Sequence, residues 1–159
     1  MYVADDRDEV IPCSDAPLPG VPATVIVIAG NVDLMLAYDS GPDGGSRVLV
    51  EFERASAHYF GSPNDEALSG HPLGKRGLGY YGVFEIKNSS WIRSLELRNR
   101  VHPRHDPARY EGLRHFIFTF QDGTFECVAR QINVLAEVPN SPQETTKLLT
   151  TIVNQVASR

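Results

Sequence analysis

The chain has 159 residues, 42% of them apolar and 22% charged, with a formal net charge of −5. A chain of that length can bury roughly 70% of its unfolded surface in one core without disulfides or metal, and its balance excludes disordered and membrane-spanning classes. The negative charge argues against general nucleic-acid binding, which needs a basic surface.

Residues 1–22 are rich in proline and acids, with no sustained period, and read as an irregular arm with Val10 and Ile11 pinned to the body. Residues 23–159 then form a single domain. The acidic start lacks the basic and apolar regions of a secretory signal, and Cys13 and Cys127 make no CxxC pair, so the protein is expected to be cytoplasmic.

Two apolar runs, TVIVIA and VDLMLA, flank Gly30-Asn31 and predict a hairpin with a two-residue turn, pairing Ala29 with Val32, Val27 with Leu34 and Val25 with Leu36. Both faces of this hairpin are apolar, which places it centrally or between layers, with Asp33 as the odd residue. YDSGPDGGS, 38–46, is turn chemistry. It has glycines but lacks the Gly-Lys-Ser/Thr ending of a phosphate-cradling loop, so it reads as a surface loop. Val48, Val50 and Phe52 alternate with polar residues as a half-buried strand, Leu49 being the exception.

From His58 to Gly79 the pattern breaks into a segment rich in glycine and proline. Loops longer than about 12 to 15 residues are uncommon in compact domains and are often functional. Tyr80 to Lys87 resumes as a strand. Asn88-Ser89-Ser90 is an N-cap cluster for a helix running to about Arg100, ended by Pro103, and 104–112 is a connector.

LRHFIFTFQDGTFECVAR, 113–130, is the strongest hairpin signal. A type I′ turn on Asp122-Gly123 would set Phe120 against Phe125, Thr119 against Glu126, Phe118 against Cys127 and His115 against Arg130. Phe116, Phe118, Phe120, Phe125, Cys127 and Ala129 then share a core face. The opposite face, with His115, Thr119, Glu126 and Arg130 beside Ile117 and Val128, is half-solvated surface or the floor of a site. Residues 131–138 extend the second strand or run along an edge. Ser141-Pro142-Gln143-Glu144 is a capping box, followed by a stripe of Leu148, Leu149, Ile152, Val153 and Val156. The fold class is therefore α+β: a mostly antiparallel sheet of about six strands built from two hairpins, carrying a middle helix and a C-terminal amphipathic helix.

All five histidines fall in the middle of the chain beside amides and carboxylates, a composition suited to proton transfer though not a motif. His102-Pro-Arg-His105 has HxxH spacing but no third ligand at a diagnostic distance, so no metal or cofactor is expected. No G-x-S-x-G elbow is present. Arg93, Arg98, Arg100, Arg104, Arg109 and Arg114 make a basic stretch whose planar forks suit an anion or an acidic partner surface. Two functions compete. A binding or regulatory module for a small anionic ligand or an acidic protein partner would use His58, Asn64, Arg98, Asn99, Arg100, Arg104 and His105. A small lyase, isomerase or hydrolase would use His71, His102, Asp65 and Glu126 for acid/base chemistry, with or without the help of a metal ion. In either version the 58–79 segment and the 99–105 connector are expected to form one ligand-facing surface.

Overall fold

The computed structural model describes residues 2–30 and 33–157, with side chains as far as residue 154. In chain order the elements are β1 (Glu9–Pro12), β2 (Val25–Ala29), β3 (Leu34–Ser40), β4 (Ser46–Glu53), β5 (Ala57–Gly61), β6 (Val83–Lys87), α1 (Ser90–Asn99), β7 (Arg114–Thr119), β8 (Thr124–Ala129), β9 (Gln131–Pro139) and α2 (Pro142–Ala157). The architecture is α+β and antiparallel, but the strands form two sheets where about six in one were expected. One has five strands in the order β1-β6-β7-β8-β5, the other four in the order β2-β3-β4-β9.

The sheets pack face to face because each supplies an alternating apolar face. Leu34, Leu36, Tyr38, Val48, Val50 and Phe52 from the four-stranded sheet meet Phe116, Phe118, Phe125 and Cys127 from the other. Phe52 and Phe125 rings lie 5.2 Å apart, and Tyr38 and Phe118 rings 5.6 Å apart. Hairpins that are apolar on both faces need a further layer outside, and each sheet has one. On the four-stranded sheet it is α2, whose Leu148, Leu149 and Ile152 cover Ile26, Ile28, Met35, Ala37 and Leu49. Leu49, out of step in the sequence pattern, is thus a core residue of this second interface. Ser141 Oγ caps α2 by accepting from the Glu144 amide at 3.2 Å. Val153 is exposed, and the side chain of Val156 lies outside the described residues.

The outer face of the five-stranded sheet is covered by the 62–82 segment, the N-terminal residues and α1. Leu68, Leu73 and Leu78 pack with Tyr2 on Ile86 and Ile117. The segment read as an irregular arm contributes the edge strand β1, paired through Val10 and Ile86, and buries Tyr2, Cys13 and Ala16. Residues 57–61, where the sequence pattern breaks, form the opposite edge, β5. Tyr38 to Ser40, expected in a loop, completes β3, and 131–139 is a separate strand on β4.

Both hairpin registers differ from expectation by two residues. Phe118 pairs with Phe125 and Thr119 with Thr124, so the chain turns over Gln121-Asp122. Neither Asp122 nor Gly123 takes the positive φ of a type I′ turn. Gly123 serves close approach instead: a Cβ there would meet the Gly61 carbonyl oxygen at 3.0 Å. In the first hairpin Ala29 pairs with Leu34 and Val27 with Leu36, and the expected turn residue Asn31 and pairing residue Val32 lie outside the described residues. A shift of two keeps every side chain on its face.

Candidate functional site

Alternation along β7 and β8 puts His115, Ile117, Thr119, Glu126 and Val128 on the outer face, where the covering layer buries them all. The register sets His115 opposite Val128 and Ile117 opposite Glu126, so His115 and Glu126 are diagonal neighbours within side-chain reach. His115 Nε2 donates to Glu126 Oε2 at 3.0 Å. From the 62–82 segment His71 Nε2 donates to Oε1 at 2.9 Å, and from the N-terminal residues the Tyr2 hydroxyl donates to Oε2 at 3.0 Å. The Leu73 amide donates to His71 Nδ1 at 3.1 Å, which leaves the proton of that ring on Nε2.

This carboxylate is 1% exposed. Burial pushes its pKa up, but the hydrogen bonds donated by His115 and His71 outweigh burial and hold it at about 2. Burial, opposed by Glu126, lowers the pKa of His115, so its ring is an uncharged base. The Tyr2 hydroxyl is kept protonated, by burial first and the facing carboxylate second.

Beyond His115 the network reaches α1. Asn88, at φ 52°, turns the chain out of β6 and leaves Ser89 as the N-cap of the helix, its Oγ accepting from the Ile92 amide at 3.3 Å. Ser89 Oγ lies 2.9 Å from His115 Nδ1. With Nε2–H committed to Glu126, Nδ1 is the acceptor and the serine hydroxyl the donor. Trp91 stacks on Tyr2 at 5.5 Å and meets the His115 ring edge-on at 5.0 Å, which fixes the imidazole.

Two concavities flank α1. One, of about 140 Å³, lies over Glu126 between Tyr2, His58, Tyr59, Trp91 and Arg98. The other, of about 450 Å³, lies at the head of the helix, and its lining includes Arg7, Glu85, Lys87, Ser89, Arg93 and Arg114. Glu85 receives Lys87 and Arg114, both at 2.5 Å, and Arg114 also reaches Asp15 at 2.6 Å. Arg7 and Arg93 share Asp5. Burial would raise the pKa of Glu85, yet hydrogen bonds from Arg114 and Lys87 bring it below its usual value.

Of the residues singled out in the sequence, His71 and Glu126 meet directly, and His58 and Arg98 line the smaller concavity above Glu126. The others lie apart. Asn64 Oδ1 accepts from the Ala67 amide in a local turn, and Asp65 accepts from the Tyr81 hydroxyl across the 62–82 segment. His105 is held by Glu96 and Asn99, each at 3.0 Å, and Arg100 by Glu96. His102 and Arg104 are exposed, with the Arg104 amide on His102 Nδ1. The reason for the separation is the length of α1: ten residues carry the chain about 15 Å from Ser89, so 99–105 sits at the far end from the buried network. Tyr2, Ser89 and Trp91 were not among the expected site residues, and His115 was expected only as part of a face that could be the floor of a site. The one sequence signal for Ser89 was its N-cap position.

Among the described residues no group of three or more His, Cys, Asp or Glu side chains is arranged to hold a metal ion, and no helix is long and apolar enough to cross a membrane. Comparison with known protein families, with curated proteins and with solved structures finds no match for this chain.

Proposed function

We propose that this protein is a binding module for a small anionic molecule, seated in the cavity at the head of α1. The observation that carries the reading is the lining of that cavity: Arg7, Lys87, Arg93 and Arg114 surround about 450 Å³ with Glu85 as the acid among them, in a chain of net charge −5. Asp5, Asp15 and Glu85 hold these cations in place without exhausting their donors, since an ammonium has three N–H groups and a guanidinium five. A bound carboxylate or phosphate would gain charge-assisted hydrogen bonds from forks already positioned. The concave shape favours a small molecule over an acidic protein surface.

Calorimetric titration with inorganic pyrophosphate and with citrate tests this. Binding should weaken as sodium chloride rises from about 20 mM to about 300 mM. Loss of either cation in Lys87→Ala or Arg93→Ala should cost about tenfold in affinity. No heat from either anion at low salt, with the protein folded, would refute the reading. The acid/base alternative built on His71 has one observation in its favour, the contact of His71 with Glu126 beside a concavity. Against it, both nitrogens of His71 are engaged, so that ring has no free position for a substrate.

A further inference from the structure

Ser89, His115 and Glu126 form a line of hydroxyl, imidazole and carboxylate, with steps of 2.9 Å and 3.0 Å. A nucleophile needs a base within hydrogen-bond reach and a third group that fixes the base in the right tautomer. Here Glu126 holds the His115 proton on Nε2, which leaves Nδ1 free to take the serine proton. Glu126 is itself fixed by His71 and Tyr2, and the imidazole is clamped by the rings of Tyr2 and Trp91. The free end of the line, Ser89, belongs to the lining of the basic cavity. We propose that Ser89 is the nucleophile, His115 its general base and Glu126 the positioning residue in the hydrolysis of a small carboxylic ester that carries a second, anionic group. The anionic group rests on the binding reading above; the nucleophile does not.

Ser89 Oγ bonds to the ester carbonyl carbon as its proton passes to His115 Nδ1. The bond from that carbon to the alcohol oxygen then breaks, and the leaving oxygen takes the proton from Nδ1. Water attacks the acyl group on Ser89, gives its proton to Nδ1, and the serine oxygen recovers it as the acid departs. One ester and one water yield one acid and one alcohol. Because Ser89 caps α1, the amides of the first turn follow the hydroxyl directly, where the helix dipole favours developing negative charge. The Ser90 amide is aimed at such a charge already: it donates to Asp8 Oδ1 at 2.6 Å, and Asp8 has to yield it when a substrate oxygen arrives. Arg93 and Lys87 supply positive charge in the same cavity.

The test is covalent labelling of the full chain with an alkyl fluorophosphonate, followed by peptide mapping, alongside turnover of p-nitrophenyl acetate and the mono-p-nitrophenyl ester of succinate. A label on Ser89, absent in Ser89→Ala and in the cap-preserving Ser89→Asn, is expected. Turnover should fall at least about a hundredfold in both variants. The rate should be half-maximal below pH 6.5, because burial keeps His115 unprotonated. No label on the folded protein would overturn the proposal. So would a label elsewhere, including on Ser90, whose buried hydroxyl has no partner among the described residues. A label on Ser89 with no preference for the succinate over the acetate ester would keep the nucleophile and refute the anion reading. Pyrophosphate binding with no label would do the reverse.

Discussion

Replacing Glu126 by glutamine should flatten the loss of stability on acidification, by an amount the buried network sets. In the folded protein this carboxyl titrates at about 2 against an ordinary 4.5. Since the folded pKa is the lower one, the stabilisation is fully present above pH 4.5 and is lost as the pH falls through about 2. At about 1.4 kcal/mol per pH unit the difference amounts to roughly 3 kcal/mol. Glutamine keeps the shape and one acceptor, but its amide nitrogen must face an N–H or O–H among His71, His115 and Tyr2, so a donor is left unpaired. An unpaired buried donor next to lost charge-assisted bonds has a cost of that same order. The variant should therefore be less stable by about 3 kcal/mol at pH 7 and should approach the wild type near pH 2. Other carboxylates, such as Asp5 with its pKa lowered by Arg7, titrate alike in both proteins and cancel in the difference. Urea unfolding at a series of pH values, followed through the single tryptophan, measures it. Parallel stability curves for the two proteins across pH 7 to 2 would show that Glu126 is not held as an ion by its donors.

His115 sets a second window: its folded pKa is depressed, so the unfolded chain takes up a proton that the folded one refuses, and stability should begin to fall below pH 6.5. That slope should be missing below pH 6.5 in His115→Gln, as read by the same titration. Phe118→Ala should destabilise by about 3 to 5 kcal/mol, because its ring is fully buried between Tyr38, Phe52 and Phe125; a loss below about 1 kcal/mol in urea unfolding would contradict its place between the sheets. Removal of residues 141–159 should uncover Met35, Ala37 and Leu49 and give an aggregating or unfolded chain. Light scattering and circular dichroism of the fragment check this, and a cooperatively folded monomer would count against α2 as a core layer.

Faces were legible in this sequence where layers were not. Alternation assigned Phe116, Phe118, Phe120, Phe125, Cys127 and Ala129 to one buried face, and all six are buried, because period two does not depend on which partner a strand meets. The number of sheets does depend on partners. Val25 and Leu36 on one face of a hairpin, with Ile26 and Met35 on the other, require cover on both sides, yet nothing local says whether the cover is a helix or another sheet. Here it is both. The short edges β1 and β5 escaped notice for a related reason: Pro12 closes the first, and exposed His58 and Phe60 interrupt the second. Their pairing is supplied by β6 and β8.

The site was hidden by register. A type I′ turn on Asp122-Gly123 would have set His115 opposite Arg130 and Glu126 opposite Thr119, some four residues along the strand from the histidine. The turn instead falls one residue earlier, and the two-residue slip leaves the core faces unchanged while it carries His115 to the diagonal position beside Glu126. Core packing is therefore indifferent to the error that destroys the site. In the observed register Gly123 lies close against Gly61 on β5, a contact with a strand that the sequence pattern does not announce. His71, Ser89 and Tyr2 join from segments 55, 37 and 124 residues away from Glu126, so no spacing motif could have linked them. A buried charge on an otherwise apolar strand was the remaining clue: the sheet could afford Glu126 there only if several donors converged on it, and that convergence defines the place where Ser89 meets its base.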